Sequence, residues 1–124
     1  MANILVADDM AEILFVYEET LRAAGHTVVT ATNGKEANRY LDTEDFDLVV
    51  TDLLMPKVDG VEVATHAHSL ENTPKLLVIT GGGDRISPHE ALKISEVFFD
   101  ATLIKPVSQD ELLNMVDKLL AERH

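Results

Sequence analysis

Asn3-Ile4-Leu5-Val6-Ala7 runs straight into Asp8-Asp9, and Asp47-Leu48-Val49-Val50-Thr51 runs straight into Asp52. Each is a short, largely apolar run of the kind that forms a strand buried on both faces of a parallel sheet. Side by side and parallel, the two strands bring three carboxylates to one edge of the sheet. Crowded carboxylates repel one another unless a hard cation lies between them. Mg²⁺ suits such a place, because it takes oxygen ligands and commonly uses one or two carboxylates with phosphate and water.

The rest of the chain repeats the alternation of short apolar runs with amphipathic stretches. Met10, Leu14, Tyr17, Leu21 and Ala24 recur at helical spacing, and Gly25 follows as a stop signal. His26–Ala31 reads as the second strand, Asn33-Gly34 as a turn, and Lys35–Leu41 as a short second helix. A loop from Leu53 to Gly60 precedes a helix over Val61–Leu70. Lys75–Ile79 is the fourth strand, ended by Gly81-Gly82-Gly83, and Ser87-Pro88 opens a fourth helix. Thr102-Leu103-Ile104 is the fifth strand, and Ser108 caps a last helix that turns Leu112, Leu113, Val116, Leu119 and Leu120 inward. This βα alternation predicts an α/β, doubly wound parallel sheet of five strands flanked by five helices; the flavodoxin-like order 2-1-3-4-5 is the one expected here, since it would place the first and third strands together.

A chain of 124 residues that is 46% hydrophobic suits one domain with its own core, spanning 1–124 and leaving no effector domain. Its net charge of −12 argues against direct nucleic-acid binding, which needs a basic face, and favours cations and basic partners. The absence of cysteine excludes disulfides and thiol chemistry and is compatible with a reducing cytoplasm. The N-terminus reaches Asp8-Asp9 too soon for a signal peptide, and no apolar run is long enough to span a bilayer. The expected location is cytoplasmic, with no membrane partner.

Four strand ends carry polar groups: Asp8-Asp9, Asp52, Thr80 and Lys105. In open α/β sheets, ligands bind beyond the carboxyl ends of the strands at the switch point, here between the first and third. Asp8 and Asp9 would hold the cation there. Asp52, at the centre, would attack phosphorus and form an acyl phosphate. Lys105 is a point charge for phosphoryl oxygens, and Thr80 offers a hydroxyl donor. Gly81 and Gly82, lacking side chains, would let backbone N–H groups approach a phosphoryl group.

At these residues the chain resembles the receiver domains of two-component response regulators. The resemblance covers essentially all of the chain. It rests on Ile4-Leu5-Val6-Ala7-Asp8-Asp9, Asp52-Leu53-Leu54-Met55-Pro56-Lys57-Val58-Asp59-Gly60, Val78-Ile79-Thr80-Gly81 and Lys105-Pro106. The Asp-x-x-Met-Pro-x-x-Asp-Gly stretch is its most specific part. The resemblance implies phosphorylation of Asp52 by a sensor histidine kinase or a histidine phosphotransfer protein. It implies Mg²⁺, or Mn²⁺ in its place, on Asp9, Asp52 and the Leu54 carbonyl, with Asp8 acting through water. It implies backbone contacts to the phosphoryl group at Leu53 and Gly81, Thr80 as switch hydroxyl, and a cis peptide at Lys105-Pro106. A downstream protein would read the state on the face made by the fourth helix, fifth strand and fifth helix.

Three features depart from the family pattern. Thr102 stands where many members have an aromatic residue that swings inward on activation, so the switch would rely on Thr80 and Thr102 differently. Phe98-Phe99 replaces a frequent Gly-Ala, and the segment from Thr80 to Lys105 is a few residues long for the family.

Two other functions compete. Aspartate-nucleophile phosphohydrolases place the nucleophile on the first strand in an Asp-x-Asp pattern, which Asp8-Asp9 lacks. A pseudo-receiver would bind partners without phosphorylation, against which the intact Asp52, Thr80 and Lys105 argue. Of the remaining residues, Asp59-Gly60 reads as a helix entry. His26, His66, His68 and His89 read as surface or boundary residues, since His66 and His68 lie two apart on a helix and face different ways. Phe98-Phe99 reads as core packing with one exposed ring.

Overall fold

A computed structural model describes residues 1–55, 58–81, 93–94 and 96–122. Five strands, β1 (Asn3–Ala7), β2 (Thr27–Ala31), β3 (Leu48–Asp52), β4 (Lys75–Thr80) and β5 (Ala101–Ile104), form one sheet in the order β2-β1-β3-β4-β5. Every pairing is parallel. Helices α1 (Ala11–Ala23), α2 (Gly34–Thr43), α3 (Gly60–His68) and α5 (Gln109–Glu122) pack on it. Residues 93–94 and 96–98 are helical and are labelled α4; the expected start of that helix at Ser87-Pro88 lies outside the described residues.

Alternation along the buried strands splits the core in two. Leu5, Val49, Leu76 and Val78 face α2 and α3, where they meet Leu41, Val63 and Ala67. Ile4, Val6, Val50, Leu77 and Ile79 face α1 and α5, where they meet Leu14, Tyr17, Leu21, Leu112 and Val116. The central strand β3 is buried at all five positions, as an apolar run between two helical layers must be.

Local chemistry sets the helix ends. Gly25, at φ +97°, turns the chain after α1, and its N–H donates to the Arg22 carbonyl at 2.9 Å. Asn33-Gly34 is not a free turn as expected: the Asn33 side chain caps α2 by accepting from the Glu36 N–H at 2.8 Å, so Gly34 is already helical. The Asp59 side chain likewise accepts from the Glu62 N–H at 3.0 Å at the start of α3. Ser108 caps α5 as expected, its hydroxyl accepting from the Glu111 N–H at 3.0 Å. Glu111 answers by accepting from the Ser108 N–H at 3.3 Å. No helix among the described residues is long and apolar enough to cross a membrane.

Candidate functional site

The strand register assembles the site. Ala7 on β1 is level with Thr51 on β3, so the next residues, Asp8 and Asp52, leave the sheet side by side. Asp52 is level with Ile79 on β4, and Thr80 with Ile104 on β5, so Thr80 and Lys105 emerge at the same edge. Two backbone bonds hold this rim, from the Asp8 N–H to the Ala31 carbonyl at 3.1 Å and from the Lys105 N–H to the Thr80 carbonyl at 2.9 Å. The Lys105-Pro106 peptide is cis.

Asp8 is 1% exposed and Asp52 9%, whereas Asp9 is open to solvent. One oxygen from each of the three carboxylates lies within 4.8 Å of the others. Lys105 Nζ donates to Asp8 Oδ2 at 3.3 Å and to Asp52 Oδ2 at 3.4 Å. The other oxygen of Asp8 accepts from the Met10 N–H at 2.9 Å, which fixes the turn into α1. Asp52 lines a cavity of about 160 Å³ with Leu54, Thr80, Gly81 and Lys105. The Thr80 hydroxyl, itself buried, donates to the Gly81 carbonyl at 3.3 Å.

The charge balance is unfavourable for the anion at the centre. Burial pushes the Asp52 carboxyl up to about 6; Lys105 opposes the rise, and Asp8 and Asp9 add to it. A single ammonium therefore does not neutralise the cluster. An oxygen-only donor set with surplus negative charge fits a hard divalent cation and no softer one.

Of the site residues expected from the sequence, Asp8, Asp9, Asp52, Thr80, Gly81, Leu54 and Lys105 come together at this edge. Gly82 lies outside the described residues. Leu53 needs a correction. Its N–H donates to the Ile79 carbonyl at 3.1 Å, so that donor is spent tying β3 to β4 and is not free for a phosphoryl oxygen. Thr102 is level with Val78, two positions back from the rim, and does not line the cavity.

Two further residues bear on the site. Helical spacing alone places Tyr17 in the core of α1. It is 6% exposed, and burial, then Asp8 and Asp52, push its phenol up to about 12, so the ring carries a neutral hydroxyl beside the site. In sequence Gly60 reads as a helix entry. A Cβ there would lie 2.5 Å from the Asp52 carbonyl oxygen, so its bareness lets α3 close against the end of β3. Neither role has a local signal, because both depend on contacts between distant segments. His66, read as a plain surface residue, joins α3 to α2 through Asp42 at 2.6 Å. Phe99 is buried, and Phe98 packs partly buried against the core instead of standing free.

Comparison with known proteins gives a consistent picture. The family model described as response regulator receiver domain matches residues 4–117. The chain is 31% identical over 126 residues to the response regulator receiver protein CpdR of Brucella abortus, covering 97% of this chain and 98% of that one. It is 31% identical over 118 residues to the alkaline phosphatase synthesis transcriptional regulatory protein PhoP of Bacillus subtilis, covering 95% of this chain and 48% of that one. The chain thus spans about half the length of that regulator. Among solved structures, the response regulator protein TrrA of Thermotoga maritima, in complex with Mg²⁺-BeF, superposes with a TM-score of 0.82 at 32% identity, over 96% of this chain and 99% of that one.

Proposed function

The chain belongs to the response regulator receiver domain family, and from that premise we propose that it accepts a phosphoryl group from a phosphohistidine onto Asp52. The observation that carries this reading is the position of Asp52, buried at the strand edge between two further carboxylates and within 3.4 Å of Lys105. An Asp52 carboxylate oxygen attacks phosphorus as the phosphorus–nitrogen bond breaks, and the electron pair leaves with the imidazole nitrogen. Lys105, already aimed at the Asp52 oxygen, follows the charge onto the phosphoryl oxygens. The Thr80 hydroxyl, whose present partner is a carbonyl at 3.3 Å, turns to a phosphoryl oxygen as donor.

Asp8, Asp9, Asp52 and the Leu54 carbonyl would hold Mg²⁺ or Mn²⁺. Bound there, the cation offsets the repulsion between the carboxylates and the incoming phosphoryl group and orients it for in-line attack. The relative solved in complex with Mg²⁺-BeF supports this reading. The donor would be a sensor histidine kinase or a histidine phosphotransfer protein. Movement of Thr80 would then reset the surface made by α4, β5 and α5 for a downstream partner.

The protein is a switch and not a turnover enzyme in this reading. Incubation with acetyl phosphate and Mg²⁺ should give a label that hydroxylamine removes, as an acyl phosphate requires. A hydroxylamine-resistant label, or steady turnover of a phosphomonoester, would assign the site to another chemistry.

A further inference from the structure

The two halves of the proposed cation site rest on one turn that supplies no ligand. The Asp8 N–H donates to the Ala31 carbonyl at 3.1 Å, which seats the carboxylate end of β1 on the end of β2. Three residues on, Gly34 opens α2 against Val58, in the loop between β3 and α3 that carries Leu54. The approach is between backbones. A Cβ on Gly34 would overlap the Val58 carbonyl oxygen and would lie 2.6 Å from its carbon and 2.7 Å from the Val58 Cβ. Only glycine fits there. The turn itself is braced by Glu36, which accepts from the Thr32 N–H at 3.0 Å and donates its own N–H to the Asn33 side chain at 2.8 Å. The loop is pinned at its base, where the Gly60 N–H donates to the Leu53 carbonyl at 2.8 Å and the Leu53 N–H to the Ile79 carbonyl at 3.1 Å. A push at Val58 therefore falls on the span between, which holds the Leu54 carbonyl.

We infer that the β2–α2 turn sets the spacing of the cation ligands and that Gly34 is a positioning residue that keeps this spacing matched to a small divalent cation. The inference rests on the proposed binding of Mg²⁺ by Asp8, Asp9, Asp52 and the Leu54 carbonyl. Asp8 takes its place from Ala31 at one end of the turn, and the loop of Leu54 takes its place from Gly34 at the other. Bulk at Gly34 shifts the Leu54 carbonyl while Asp8 stays on Ala31, so the two ligands change their separation. Mg²⁺ demands near-ideal octahedral geometry at about 2.0–2.1 Å, whereas Ca²⁺ accepts irregular shells at about 2.3–2.6 Å. A displaced carbonyl therefore penalises Mg²⁺ more than Ca²⁺.

Mg²⁺ and Ca²⁺, each added alone to the unphosphorylated chain, serve as probes, with dissociation constants read from the amide chemical shifts of Asp9 and Leu54. In Gly34→Ala the Mg²⁺ constant should rise roughly tenfold, the size of loss that follows when the support behind a metal ligand is disturbed, and the Ca²⁺ constant should change far less. Asn33→Ala loosens the brace without adding bulk and should move the ratio of the two constants in the same direction, which decides the matter if Gly34→Ala does not fold. Gly25→Ala controls for lost stability. It strains a φ of +97° at the opposite edge of the sheet, so it should lower the melting temperature and leave the ratio alone. An unchanged ratio in folded Gly34→Ala would overturn the inference, as would an unchanged ratio in Asn33→Ala where Gly34→Ala does not fold. Equal weakening of both cations, or a shift of the same size in Gly25→Ala, would also overturn it and leave Gly34 as a support for the fold alone. No binding of either cation by the wild type would instead overturn the cation site itself, a distinct result.

Discussion

Lys105 meets Asp52 at 3.4 Å across 53 residues of sequence. The same ammonium lies 3.3 Å from Asp8, so one cation serves two buried carboxylates. Removing two such groups from water is costly, and the attraction repays the cost only when the charges balance. Here they do not, and the surplus falls on Asp52. That imbalance suits a centre meant to receive a cation and a phosphoryl group, and it leads to measurable consequences.

Asp52→Asn should stabilise the metal-free protein at neutral pH. The folded carboxyl is raised from 3.8 to about 6, so the native state holds its proton more tightly than the unfolded chain does. Stability from this group is therefore complete below 3.8 and is lost as pH rises through about 6. Asparagine does not titrate and escapes the loss. A shift of this size corresponds to about 3 kcal/mol at most, or up to roughly 12 °C in melting temperature. Melting curves between pH 4 and 8 should diverge across that window, with the variant on top at high pH. A variant that melts lower at neutral pH would mean that the Asp52 anion is favoured in the fold.

Labelling should depend on the divalent cation and on Asp9, the exposed member of the carboxylate set. Asp9→Ala removes one oxygen ligand without cutting into the core. Acetyl phosphate should then label the variant at a small fraction of the wild-type rate, and EDTA should stop labelling of the wild type. Undiminished labelling in EDTA would reject the metal site.

Gly60→Ala should disturb the acceptor strand from outside the site. Its new methyl would sit 2.5 Å from the Asp52 carbonyl and 3.0 Å from the Leu53 Cα, both backbone atoms that cannot swing aside. Overpacking of this kind costs roughly 1–3 kcal/mol. Denaturant melts should show that loss, and the labelling rate should fall with it as the end of β3 shifts. An unchanged melt would show that α3 and β3 are free to separate.

The fold was legible because its signals are local. Apolar runs such as Leu48–Val50 and the heptad-like spacing of Leu14, Tyr17 and Leu21 each declare an element within a few residues. The candidate site was legible because four strand ends carry its polar groups, and a parallel sheet aligns strand ends by rule. What stayed hidden depends on contacts between segments far apart in sequence. The Leu53 N–H is occupied only because β4 runs beside β3. Asn33 reads as part of a turn until the Glu36 N–H is seen to donate to it. Tyr17 bears on the site only because the fold brings it near both Asp8 and Asp52.

The switch should be read in the segment after β4 and not in an aromatic ring. Thr102 is level with Val78 and small, so no large side chain waits at that position to follow Thr80. Amide exchange with and without a beryllofluoride mimic of the phosphoryl group should change most between Gly81 and Ile94. Changes confined to α1 and α2 would show that the output face is not the one made by α4, β5 and α5.

Intact mass after acetyl phosphate and Mg²⁺, on the wild type and on Asp52→Asn, tests the acceptor most directly. The wild type should gain one phosphoryl group that decays on standing, and Asp52→Asn, folded as its melt confirms, should gain none. An equal gain on Asp52→Asn, or a stable adduct on a serine or threonine, would contradict the assignment of Asp52 as the acceptor.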